Sequence, residues 1–150
     1  MNLPPIRILY AEDDLDDIQF FETALTEIPV NASLTTVNDG EELMAYLSEN
    51  VARLPDVLFL DLSMHRKTGY ECLYEIKKDE RLKQLIVIIL STSFPSDIQY
   101  EGSLVKTLLK LGANDYIRKP NDFTKLKEVI HQALIRLAEE TGLVLPEEEL

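Results

Sequence analysis

Basic residues are scarce in this chain. Lysine and arginine number 15 against 27 acidic residues, for a net charge of −12 in 150 residues. A surface of that sign repels a phosphate backbone, so nucleic-acid binding would need a local basic patch. The nearest thing to one, Lys77, Lys78, Arg81 and Lys83, is interrupted by Asp79 and Glu80 and reads as a solvated helix end. Cysteine is scarcer still. Cys72 is alone, which excludes an intrachain disulfide and makes a reducing, cytoplasmic setting the expectation. Long apolar runs are missing too. The densest, residues 85–90, is far too short to cross a bilayer, and no membrane insertion is expected. The opening MNLPPIR does not read as a signal peptide. Histidine occurs only at His65 and His131, too scattered for a histidine-based metal site.

What is present is ordinary globular material, with 45% hydrophobic and 28% charged residues. Strand-like and helix-like segments alternate. Residues 6–11, 34–37, 57–60, 86–90 and 116–117 read as short apolar strands. Between them run helical stripes: Leu15, Ile18, Phe21, Leu25 and Ile28; then Leu43, Met44 and Leu47; then Cys72, Leu73 and Ile76; then residues 104–111, stopped by Gly112. A last stripe carries Phe123, Leu126, Ile130, Ala133 and Leu137. The almost wholly aliphatic fourth strand suggests burial on both faces, as in a parallel sheet covered by helices. Five such units in this length predict an α/β fold, an open doubly wound parallel five-stranded sheet of order 2-1-3-4-5. Residues 1–138 are expected to form one domain, with 139–150 a frayed acidic tail.

Ligands of such sheets bind outside the carboxyl ends of the strands. There the first strand leads into Glu12 and Asp13, the third into Asp61, the fourth into Ser91, Thr92 and Ser93, and the fifth into Lys119-Pro120. Clustered carboxylates repel one another, and a divalent cation removes the conflict. Mg²⁺ suits best, since it takes a few carboxylate oxygens and keeps waters. Asp14 reads instead as a cap of the following helix, as does Thr92 for a later one. Cys72 reads as core.

Tyr10-Ala11-Glu12-Asp13-Asp14, Phe59-Leu60-Asp61-Leu62-Ser63-Met64, Leu90-Ser91-Thr92 and residues 112–120, Gly-Ala-Asn-Asp-Tyr-Ile-Arg-Lys-Pro, resemble the successive signatures of bacterial response-regulator receiver domains, of flavodoxin-like fold. The resemblance covers about residues 6–137 and is to the stand-alone receivers of two-component signalling. It implies a phosphoacceptor signalling protein rather than an enzyme with an external substrate. Asp61 would take a phosphoryl group from a histidine kinase or histidine phosphotransfer protein. Glu12, Asp13, the Asp61 side chain and the Ser63 backbone carbonyl would hold Mg²⁺. Lys119 and Ser91 would meet the phosphoryl oxygens, and Ser91 with Tyr116 would form the switch read by a downstream protein target. Pro120 would follow a cis bond. Two features depart from the family. His65 stands where proline is usual and reads as a tolerated loop variant. The stretch between Ser91 and Gly112 is longer than usual around residues 100–106, where Tyr100, Leu104 and Val105 would add apolar surface. Two alternatives remain: a phosphorylation-independent pseudo-receiver, and a haloacid-dehalogenase-type phosphatase, which would want an aspartate at the position of Ser63.

Overall fold

The computed structural model describes residues 4–92 and 98–145, with side chains at all of these except 98–101. Strands β1 (Ile6–Ala11), β2 (Ala32–Val37), β3 (Val57–Leu60), β4 (Val87–Ser91) and β5 (Asp115–Arg118) alternate with helices α1 (Leu15–Thr26), α2 (Gly40–Glu49), α3 (Gly69–Lys78), α4 (Ile98–Leu111) and α5 (Phe123–Thr141). The strands make one sheet of order β2-β1-β3-β4-β5, and every pairing is parallel. This is the order expected.

Successive strand residues point to opposite faces, so a strand covered on both sides is apolar nearly throughout. Leu9, Leu58, Leu60, Val87 and Ile89 face one way and meet Leu43, Leu47, Leu73, Ile76 and Leu108 of α2, α3 and α4. Ile8, Tyr10, Val57, Phe59, Ile88 and Leu90 face the other way and meet Phe21, Leu25, Ile130 and Leu134 of α1 and α5. The Phe21 ring stacks on Tyr10 with centroids 4.3 Å apart and meets Phe59 edge-on at 5.2 Å. β2 lies at the edge and alternates between half-buried and exposed positions. It starts two residues earlier than residues 34–37 suggest, since pairing with β1 already begins at Ala32 opposite Ile6.

Helix starts follow side-chain chemistry. Asp14 accepts from the amides of Asp16 and Asp17, Asp39 from that of Glu42, and Thr68 forms a capping box with Glu71. Several expectations need correction. α4 begins at Ile98 rather than 104, so Thr92 lies too far upstream to cap it, and Ser93 lies outside the described residues. Leu104 is buried in the core at 7% exposure rather than adding surface, because helix α4 turns it onto the sheet, and Val105 is half-buried. The Tyr100 side chain lies outside the described residues. No cis peptide bond occurs among the described residues, so Lys119-Pro120 is trans. Helix α5 runs past 138 to Thr141, where Gly142 ends it with φ 74°, and Leu143 and Leu145 pack on the α1/α5 core. The Lys77 ammonium is not simply solvated. It donates to the carbonyls of Lys83 and Leu85 at 3.2 and 2.7 Å, and burial pulls its pKa below the usual lysine range.

Candidate functional site

Because all strands are parallel, their carboxyl ends share one edge. Neighbours β1 and β3 carry their following helices to opposite faces there, which opens a crevice between them. Glu12 and Asp13 follow β1, and Asp61 follows β3, its amide donating to the Ala11 carbonyl at 3.1 Å. Oxygens of Glu12, Asp13 and Asp61 all lie within 4.8 Å of one another. Glu12 and Asp61 are 1% and 4% exposed. Ser91, fully buried at the end of β4, donates from Oγ to Asp61 Oδ1 at 3.4 Å. The amide of Lys119 donates to the Ser91 carbonyl at 2.8 Å, which carries the β4–β5 pairing up to the site. The Lys119 ammonium then reaches Glu12 Oε1 and, at 3.0 Å, Asp17 Oδ2.

Glu12 is strongly perturbed. Burial and its contact with Asp61 push its pKa up to about 8, against the pull of Lys119. The Tyr10 hydroxyl donates to Glu12 Oε1 at 3.1 Å and is itself pushed far up, by burial first and by Glu12 second. Burial also opposes the charge on Lys119, but Asp61, Glu12 and Asp17 outweigh it and hold the ammonium above the usual lysine range. In metal-free buffer the fold binds a proton on Glu12 that the unfolded chain has released, between the ordinary value of 4.5 and about 8. The stability of the metal-free fold should therefore fall as pH rises through that window. Melting temperatures in chelator, taken across it, should decline, and Glu12→Gln should remove most of the slope. An unchanged slope in the variant would assign the pH dependence to another group.

The loop after β3 is tied down from several sides. The His65 amide and Nδ1 lie 3.2 and 2.6 Å from Asp13 Oδ2. His65 therefore gives the loop an anchor on the neighbouring strand end. Arg66 has a φ of 68°, a left-handed backbone, and its guanidinium stands 3.5 Å from Glu41 and 3.8 Å from Asp39. Helix α3 enters tightly against the crevice. A Cβ on Gly69 would lie 2.2 Å from the Asp61 carbonyl oxygen and 2.7 Å from Leu62 Cα. Backbone has no rotamer to yield, so Gly69→Ala should displace the loop and cost about 2 to 3 kcal/mol. A shift of the urea midpoint with unchanged slope would measure it, and a wild-type midpoint would contradict the close approach.

The donor set is suited to a hard dication: carboxylate oxygens only, from two adjacent strand ends, two of the three groups buried. Ser63 lies two residues beyond Asp61 in the same loop and is exposed. Tyr116 sits on β5 opposite Ile89 of β4 and is half-buried against the α2/α3/α4 core. Sequence reasoning missed Asp17 and the hydroxyl of Tyr10. An acid in the first turn of a helix ordinarily answers the helix dipole, so nothing in the pattern marked Asp17 as a partner of Lys119.

Residues 8–131 match the response regulator receiver domain. This chain belongs to that family. The receiver is 31% identical over 132 residues to the response regulator Rcp1 of Synechocystis, covering 85% of each chain. Among solved structures it resembles the phosphorylated cyanobacterial phytochrome response regulator RcpA, with 32% identity, a TM-score of 0.75, and coverage of 96% of this chain and 100% of that one. It also resembles the Mn²⁺-bound form of Rcp1, with 29% identity, a TM-score of 0.74, and coverage of 95% and 99%. As a receiver it is a signalling component of two-component systems rather than a classical enzyme. No helix among the described residues is long and apolar enough to cross a membrane.

Proposed function

We propose that this receiver accepts a phosphoryl group from a phosphohistidine onto Asp61, in a Mg²⁺-dependent step, and signals through the conformational change that follows. The observation that carries the reading is the convergence on Asp61. A buried carboxylate stands among two further acids, accepts from the Ser91 hydroxyl and lies within the electrostatic reach of the Lys119 ammonium.

Asp61 Oδ would attack phosphorus, forming the P–O bond as the P–N bond to imidazole breaks. The bonding pair stays on the imidazole nitrogen, which takes up a proton. Little covalent chemistry is asked of the protein beyond this, and positioning and charge neutralisation supply most of the rate. Glu12, Asp13, Asp61 and the Ser63 carbonyl would hold the cation, whose charge offsets that gathering on the phosphoryl oxygens. His65 and its amide, both on Asp13 Oδ2, would steady that carboxylate. Lys119 would give a phosphoryl oxygen a mobile point charge.

Phosphorylation adds roughly 1.5 to 2 negative charges next to Ser91. Ser91 would turn its hydroxyl from the carboxylate to the new oxygens, and Tyr116, one strand over, would move into the space released. A net charge of −12 favours protein partners over nucleic acid for both input and output. The donor would be a histidine kinase or phosphotransfer protein, the receiver of the signal a downstream protein, and the setting the cytoplasm. One similar receiver, RcpA, is known in a phosphorylated form and another, Rcp1, in an Mn²⁺-bound form, which is consistent with this chemistry.

Incubation with a small phosphodonor, with and without Mg²⁺, tests the reading. Intact mass should rise by one phosphoryl group only when Mg²⁺ is present. A protein that binds Mg²⁺ but never labels would be a phosphorylation-independent adaptor.

A further inference from the structure

Asp17 lies outside the carboxylate cluster, yet its Oδ2 is 3.0 Å from the Lys119 ammonium. Its backbone is fixed in the first turn of α1, where its amide donates to Asp14 Oδ1 at 3.1 Å. The carboxylates acting on Lys119 come from three elements: Glu12 after β1, Asp61 after β3 and Asp17 on α1. Glu12 and Asp61 belong to the cluster, so a dication held there draws on their charge. Asp17 does not belong to it and keeps its charge for the lysine. Packing leaves room on one side of the pair. A cavity of about 120 Å³ lies beside it, bounded by Tyr10, Asp17, Phe20, Leu90, Thr92 and Lys119. What restrains the ammonium on that side is electrostatic.

We propose that Asp17 is a positioning residue that holds the Lys119 ammonium back from the phosphoryl site on Asp61. An incoming phosphoryl group then has to displace a carboxylate before it gains the lysine. Asp17 thereby sets how readily the site is occupied, without touching the metal, the phosphoryl group or Asp61. The inference rests on the role proposed above for Lys119. It assigns the balance between the acceptor's charged and resting arrangements to one side chain on α1.

The test is a mutant cycle read by binding of fluoroberyllate, a phosphoryl mimic, in saturating Mg²⁺. Asp17→Asn should tighten binding about fivefold, the scale of a partly exposed ion pair. Asp17→Glu, which keeps the charge, should restore the wild-type value to within about twofold. In a Lys119→Gln background Asp17→Asn should change nothing, because the effect acts through the lysine. Wild-type affinity in Asp17→Asn, weaker affinity, or equal tightening without the lysine would each overturn the proposal. A second measurement needs no phosphoryl chemistry. In metal-free protein the Lys119 ammonium, followed by ¹⁵N NMR, should become more mobile in Asp17→Asn, and unchanged mobility would overturn the pairing. Should the wild type bind no fluoroberyllate, the phosphoacceptor reading has failed, and the NMR result alone decides the pairing.

Discussion

Asp61→Asn is expected to abolish phosphoryl labelling outright while leaving the fold intact. Asparagine has nearly the size of aspartate, and its oxygen still accepts from Ser91, 3.4 Å away in the wild type. Its amide is not a competent nucleophile, so no acyl phosphate forms. The backbone of residue 61 is held independently of the side chain, by its amide on Ala11 and by the close approach of Gly69 to its carbonyl. Removing one buried charge from a cluster of acids relieves repulsion rather than creating a cavity. Denaturation should show a midpoint no lower than wild type. Labelling of the variant at the wild-type level would place the acceptor elsewhere.

The second large effect concerns the cation. Glu12→Gln combined with Asp13→Asn removes two of the three clustered carboxylates. Mg²⁺ affinity by titration calorimetry should fall at least 100-fold, roughly the upper effect of disturbing groups that only support ligands. The metal-free protein should move the other way and melt higher. Two terms compete there: loss of the Glu12 contact with Lys119 and relief of a buried charge. The raised pKa of Glu12, about 8 with Lys119 already counted, says that burial wins. The gain should grow as the buffer is made more alkaline, since only then does wild-type Glu12 carry its charge. Unchanged Mg²⁺ affinity would remove these acids from the metal site.

The β-strands at the centre of the sheet were readable because burial on both faces leaves almost only apolar residues. Residues 57–60 and most of 86–90 carry the pattern without interruption, and the acid or hydroxyl that follows each strand marks the edge where ligands bind. Glu12, Asp13, Asp61, Ser91 and Lys119 stand out that way, from strand ends and family signatures together, and the fold brings them to one edge. What escaped depends on side-chain reach across elements. Asp17 is on a helix and Lys119 is 102 residues later, and an acid in a first turn has a sufficient local explanation. Tyr10 reads only as part of an apolar strand, and its ring is core, while its hydroxyl donates to Glu12 Oε1. The start of α4 was set too late because the stripe became apolar and regular only from Leu104, whereas helix α4 begins at Ile98. Lys77 sat in a charged run, and only the fold brings the Lys83 and Leu85 carbonyls to its ammonium.

The most direct measurement is chemical mapping of the phosphorylated residue. Protein treated with a small phosphodonor and Mg²⁺ is reduced with borohydride, which converts an aspartyl phosphate to homoserine, then digested and sequenced by mass spectrometry. Homoserine is expected at position 61, dependent on Mg²⁺ and absent from Asp61→Asn. Homoserine at another acidic position, or phosphate retained on a serine or threonine, would contradict it.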